Sequence, residues 1–204
     1  IDQAKYFAFK VDDIDARQAR GNVMPEAMRR AAYKLRDVVD AYIAGLYTQA
    51  AAANALGTVA VTAGTPTAAY DSVLVPLSVK LDEANVTDEG RWVVVPPWFH
   101  GRLQLDSRFV KVNESGTAEG LRNGIIGRAA GFDIYKSNNI VNVTGDDYAV
   151  MAGVDAAISY AEQISKVEAY RPESSFSDAI KGLHLWTAKV MRPECLATAT
   201  ASQT

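Results

Sequence analysis

The order of predicted elements gives an α+β fold in which one domain is inserted into another. Three observations lead there. Strand-forming runs stand near both ends of the chain, a long amphipathic helical stretch follows the first of them, and a mixed middle separates the two groups. Of the 204 residues, 49% are apolar, enough for the core of one or two modest domains.

Tyr6, Phe7, Phe9 and Val11 predict a strand over residues 5–11, which ends at the acidic run Asp12-Asp13-Ile14-Asp15. Pro25 suits a first helical turn, and Glu26 complements the positive end of a helix dipole. From there Met28, Ala31, Leu35, Val38, Tyr42 and Leu46 recur at helical spacing, with charged residues between them. The alanine-rich residues 50–55 extend the pattern and Gly57 supplies a stop, so the predicted helix covers residues 25–55 and is about 45 Å long. That is more than a compact domain of this size needs.

Residues 58–69 carry no charge and include Gly64 and Pro66; they read as a linker with one short strand at 59–61. Val73, Leu74, Leu77 and Leu81 place a second helix over 71–83, with Asp71 or Ser72 as its cap. A short apolar strand at 91–95 stops at Pro96-Pro97, and a helix follows over 98–107. Residues 111–120 lack apolar periodicity and read as an exposed loop, after which Gly124, Gly127 and Gly131 lead to a half-buried strand at 132–135. Val150, Val154, Ala157, Ile158 and Ala161 have helical spacing and predict a helix over 149–164. Strands are predicted at 166–170 and 183–191 around a polar loop, and the small, uncharged residues 197–204 are expected to fray. No internal repeat stands out.

The chemistry of the chain narrows its function by what is missing. With 21 basic and 24 acidic side chains the net charge is −3, which provides no broad positive field for sequence-specific DNA binding. Cys195 is the single cysteine, so neither an intrachain disulfide nor a thiolate metal cluster can form, and a reducing cytoplasm suits the chain. Apolar runs are far shorter than a bilayer span, so no membrane partner is expected. The start at Ile1 has no signal-peptide pattern, and residues upstream of it are expected to have been removed or left out.

His100 and His184 are far apart in sequence, each beside aromatic or apolar neighbours, and Trp98-Phe99-His100 reads as packing with a polar tip. No third metal ligand joins the histidines at helical or hairpin spacing, so no metal and no cofactor is expected. Gly124, Gly127 and Gly131 make neither a phosphate loop nor a dinucleotide fingerprint. The acidic run at residues 12–15 lacks the spacing of a calcium loop, and Cys195 has no nearby histidine to activate it. No catalytic residues are assigned.

The middle of the chain carries a more specific signal. Leu81-Asp82-Glu83-Ala84-Asn85-Val86, Asp88-Glu89-Gly90-Arg91-Trp92-Val93-Val94-Val95-Pro96-Pro97 and Leu105-Asp106-Ser107-Arg108-Phe109 follow one another in order. Asn123-Gly124-Ile125-Ile126-Gly127, Ala130-Gly131-Phe132-Asp133-Ile134-Tyr135 and Ser137-Asn138-Asn139 continue the pattern. Together they resemble the major capsid proteins of tailed bacteriophages, with the Hong Kong 97-type fold.

That resemblance implies a long spine helix over residues 25–55, a peripheral domain at 1–69 and 163–204, and an axial domain at 70–162. It implies that residues 5–11 are the returning strand of an extended loop, with Tyr6 and Phe9 contacting a neighbouring subunit. Asn113, Glu114, Ser115, Gly116 and Glu119 then belong to the axial loop at the centre of a pentamer or hexamer. Arg29 and Arg30 on the spine, and Arg171 with Glu173, are expected to contact other copies, against the blander reading of solvated surface charge. Relatives are longer at the front, and the N-terminal arm and outgoing extended-loop strand are expected to be absent here.

The implied function is that of a non-enzymatic, self-assembling icosahedral shell protein of the virion, made in the cytoplasm of a bacterial host and enclosing double-stranded DNA. Its implied partners are other copies of itself, scaffolding, portal and decoration proteins, and DNA only non-specifically. Three rivals stay open at the level of sequence. An encapsulin-like compartment shell has the same fold. A small cytoplasmic α+β enzyme would unite His100, His184 or Cys195 with carboxylates. A fibre or decoration protein would lie outside a shell, and the long helix argues against it.

Overall fold

The computed structural model describes residues 2–12, 23–110, 127–173 and 176–204. The chain forms two compact units, Ile1–Tyr42 with Tyr160–Lys189, and Ile43–Ser159 with Val190–Thr204. One unit is thus inserted into the other, with chain crossings near 42, 159 and 189, whereas the resemblance implied boundaries near 69 and 162.

In the first unit, strand β1 (Gln3–Asp12) pairs antiparallel with β9 (Ser177–Val190), and β8 (Ile158–Tyr170) lies on the other side of β9. Tyr6 stands opposite Leu183, Phe7 opposite Gly182 and Phe9 opposite Ile180. Directly opposed residues share a face. Phe7, Phe9, Gly182, His184 and Trp186 therefore lie on one face, and Tyr6, Lys181 and Leu183 on the other. Phe7 covers Gly182 so closely that a Cβ added there would enter its ring. Helix α1 (Val23–Gly45) packs on the first face, with Tyr42 edge-on to the buried Trp186 at a ring separation of 5.0 Å.

The helix is about 35 Å long rather than 45 Å, because it stops at Gly45. A 3-10 turn at Leu46–Gln49 follows, then extended residues Ala50 and Ala51 and a short turn at Ala52–Asn54. The alanines favour helix, but Asn54 is buried and its amide donates to the carbonyls of Glu194, at 2.7 Å, and Leu196, at 3.3 Å. The Ala51 N–H donates to the carbonyl of Pro193. These long-range bonds outweigh a propensity worth only tenths of a kcal/mol per residue. Among the described side chains of the helix Val39 is the most buried apolar one, with Val38 of the expected stripe half-buried beside it, and Tyr33 is 72% exposed on the outside.

The second unit is built on a sheet in the order β2-β10-β7-β3-β5-β4, with β6 also paired to β7. Its strands are β2 (Ala55–Ala60), β3 (Trp92–Val95), β4 (Arg128–Ala129), β5 (Phe132–Lys136), β6 (Asn142–Thr144), β7 (Asp147–Gly153) and β10 (Leu196–Ser202). Gly57 is a bulge residue within β2, not a helix stop: its φ is +74° and the pairing with β10 slips beside it.

A π-helical turn at Ala69–Leu74 runs into helix α2 (Val75–Glu83), and Val73, Leu74, Leu77 and Leu81 are all fully buried, as their spacing predicts. They pack with Val93, Val95, Phe99, Leu103, Phe132 and Val150 in the core of this unit. Asp71 does not cap the helix. It accepts from Arg108 Nη1 at 2.7 Å instead. The helix predicted at 98–107 is divided into α3 (Pro97–Leu105) and α4 (Ser107–Val110) at Asp106, whose buried carboxylate accepts from the Arg108 backbone and guanidinium.

Two expectations are corrected in this part of the chain. Residues 149–164 are not a helix but β7, a 3-10 turn at Asp155–Ala157 and the start of β8. β7 has partners on both sides and residues Ala149–Gly153 are buried without alternation, so the strand has no polar face by which periodicity could reveal it. The tail does not fray either: Leu196–Ser202 form β10 between β7 and β2. Its Ala and Thr residues suit a tightly packed position, and Gly153 beside it has room for no Cβ, which would lie 2.8 Å from the Cys195 carbonyl. Among the described residues no helix is long and apolar enough to cross a membrane.

Candidate assembly surface

Arg91 illustrates how the motif-rich middle holds its shape. Only 3% of its side chain is exposed; it donates to the carbonyls of Val86, at 2.6 Å, and Thr87, at 2.8 Å, and pairs with Asp82 and Asp88. Asn85 takes a positive φ of 55° in the loop that Arg91 ties together. The motif residues Asp82, Asp88 and Arg91 are thus one structural clasp.

The residues expected to meet other copies lie as follows. Tyr6 is 80% exposed on the open face of the three-stranded sheet, while Phe9 is half-buried on the opposite face. Arg29 and Arg30 are exposed on α1 and both bind Glu26, through bonds of 3.0 Å from each Nε. This arrangement places two guanidiniums on one carboxylate and holds Glu26 below the usual carboxylate range. Arg171 and Glu173 are exposed just after β8. Asn113, Glu114, Ser115, Gly116 and Glu119 lie outside the described residues.

Two hollows of the first unit bring together side chains that the sequence reading did not relate to one another. Tyr6, Phe7, Lys166, Glu168, Lys181, Gly182 and Leu183 line one of about 380 Å³, where Lys181 reaches Glu168 at 3.2 Å and lies over the Tyr170 ring. A second, of about 440 Å³, is lined by Ala32, Leu35, Arg36, Val39 and Asp40 of α1, by Tyr160 and Glu162 of β8, and by His184 of β9. There His184 Nε2 lies 3.4 Å from both Glu162 and the Tyr160 hydroxyl. Burial, reinforced by Asp37, raises the Asp40 carboxyl above its ordinary range. The alternation of β9 could have put His184 beside Trp186 on the covered face, but nothing in the sequence pairs it with Glu162 or Asp40.

The three residues on which an enzyme reading depended are divided: His184 belongs to the first unit, and His100, in α3, and Cys195, in a 3-10 turn, to the second. Burial, with Lys136 nearby, lowers the pKa of His100, favouring its neutral form. No group of three or more His, Cys, Asp and Glu side chains among the described residues could hold a metal ion.

The fold matches solved shell proteins. A structure from Mycobacterium phage Che8 is 36% identical over 97% of this chain and 70% of that one, with a TM-score of 0.75. The capsid structure of the cyanophage P-SCSP1u is 15% identical, over 98% of this chain and 72% of that one, with a TM-score of 0.77. The holo-SrpI encapsulin complex from Synechococcus elongatus PCC 7942 shares the fold at 12% identity, over 97% and 73%, with a TM-score of 0.65. No curated protein matches.

The architecture is thus the Hong Kong 97-like capsid fold, that of a structural shell subunit and not of an enzyme. Residues 1–199 match the phage capsid protein family, and the chain belongs to that family. It is a structural major capsid protein of the virion, whose copies associate into the shell.

Proposed function

We propose that this protein forms the pentamers and hexamers of an icosahedral phage head that encloses double-stranded DNA. The reading is carried by the match to the capsid family along nearly the whole chain. In it, the first compact unit is the peripheral domain with α1 as its spine, the second is the axial domain, and β1 is the returning strand of the extended loop. Tyr6, Phe9, Arg29, Arg30, Arg171 and Glu173 contact neighbouring copies, and Asn113, Glu114, Ser115, Gly116 and Glu119 gather near the capsomer axis. A net charge of −3 suits non-specific enclosure of DNA, without a basic surface that would bind it tightly. Assembly takes place in the cytoplasm of a bacterial host, with scaffolding, portal and decoration proteins as further partners.

The mechanism is avidity. Each subunit makes moderate contacts with several neighbours, and closure of the lattice converts them into a stable particle. Electron microscopy of the expressed full-length gene product tests this: closed shells with fivefold and sixfold clusters are expected, and a product that stays monomeric under all assembly conditions would refute it. An encapsulin-like compartment is a second reading, favoured by the encapsulin match. Particles purified from the native source decide between them, holding DNA for a phage head and a co-purifying enzyme for a compartment.

A further inference from the structure

The cleft between α1 and the sheet of the first unit has an unbalanced charge. Asp40 and Glu162 contribute two carboxylates and Arg36 one guanidinium, so among the lining residues the acidic side chains outnumber the arginine by one. Among the described residues Asp40 has no hydrogen-bond or ion-pair partner, although burial already disfavours its ionised form. Among the described residues Glu162 meets only the Tyr160 hydroxyl and His184, and His184 Nδ1, buried, has no hydrogen-bond partner. Carboxylates gathered in one cleft with unused accepting capacity are stabilised by a cation with several donors. Tyr160, 43% exposed at the cleft wall, adds an aromatic surface on which a guanidinium can stack.

The same helix carries the opposite imbalance at its other end. Arg29 and Arg30, whose side chains are 78% and 80% exposed, share the single carboxylate of Glu26, leaving one excess positive charge. Arg30 uses its Nε on Glu26, so its two terminal amino groups remain able to bind a further acceptor. Arg30 and Asp40 are ten residues apart on one helix, about 15 Å along the axis, too far to meet within one molecule without breaking it.

We propose that the cleft formed by Asp40, Tyr160, Glu162 and His184 is an inter-subunit acceptor, and that it receives an arginine of the Arg29–Arg30 pair from a second copy of this chain. The proposal rests on the shell-forming role and assigns a donor and an acceptor within it. A heterologous contact of this type, one patch meeting a different patch of the next copy, is the kind that closes a ring.

The test uses charge exchange on the full-length chain, with wild-type assembly as reference. Glu162→Lys and Arg30→Glu are each expected to fold like wild type, by circular dichroism, and to lower the yield of sedimenting shells about tenfold, with like charges now opposed. The double variant is expected to recover most of that yield. Where a charge reversal impairs folding, Glu162→Gln and Arg30→Gln replace it in the same assay, each expected to lower yield less. Folded single variants that assemble as well as wild type would overturn the proposal. Folded single variants that fail, with no recovery in the double, would overturn the arginine as the occupant. Failure of wild type to assemble at all would instead count against the shell-forming reading itself.

Discussion

Replacing Arg91 with leucine removes the clasp that holds the loop between α2 and β3. The guanidinium makes two bonds to carbonyls, at 2.6 Å and 2.8 Å, and two ion pairs, to Asp82 at 2.7 Å and Asp88 at 2.9 Å. Those carboxylates are 55% and 89% exposed, so solvent screening leaves each pair worth about 0.5 kcal/mol. A bond from a charged donor contributes about 1.5 kcal/mol to each carbonyl, reduced where water can replace it in the exposed loop. The sum is a loss of about 2–4 kcal/mol, which for a chain of this size lowers Tm by roughly 5–12 °C. Thermal unfolding followed by circular dichroism measures the shift, and hydrogen exchange at the Val86 amide, bonded to the carbonyl of Leu81, reports whether the loop opens. Arg91→Lys retains one charged donor and should fall between the two. A Tm within about 1 °C of wild type, with unchanged exchange at Val86, would refute the assignment of this network to loop stability.

Other outcomes follow from the same packing. Gly182→Ala pushes a methyl group into the Phe7 ring and is expected to cost about 1–3 kcal/mol; adding Phe7→Ala should relieve the clash, a coupling that a double-mutant cycle on thermal melts would detect. Asn54→Ala leaves the carbonyls of Glu194 and Leu196 without their side-chain donor, and a loss of about 1–3 kcal/mol is expected in a denaturant titration. Hydrogen bonds from Arg108 hold the Asp106 carboxyl below its ordinary pKa. Its stabilisation is therefore full above the unfolded value, about 3.9, and is lost as pH falls through the lower folded value. Tm measured from pH 6 to pH 2 should decline less steeply in Asp106→Asn than in wild type.

Local pattern was most informative where a segment has one buried and one open face. The spacing of Val73, Leu74, Leu77 and Leu81 located a buried helical surface because the other side of that helix meets water. The alternation around Phe132 located β5 for the same reason. The ordered motifs from Leu81 to Asn139 carried the resemblance to the capsid family, and among the described ones Asp82, Asp88 and Arg91 form a clasp of the second unit. Pattern failed for β7, which is buried on both faces, and for β10, whose Ala and Thr residues look like a solvent-exposed tail until flanking strands surround them. The acceptor cleft was illegible for a different reason: Asp40 and Glu162 are more than a hundred positions apart, and no local rule relates them.

The amino-acid order alone determined the mixed architecture, the amphipathic helix after the first strand and the apolar helix at residues 73–81, because these depend on interactions within a few turns or one strand. It also carried the motifs of a shell protein. Tertiary structure decided where α1 ends, since Asn54 is drawn to carbonyls of Glu194 and Leu196 against the helical preference of its alanine neighbours. It likewise decided that the last strand is interior and that Asp40, Glu162 and His184 share one cleft. In each case the deciding contacts join segments far apart in the chain, from more than forty residues between β10 and β7 to about 140 between Asn54 and Glu194, and their free energy exceeds the small local preference they oppose.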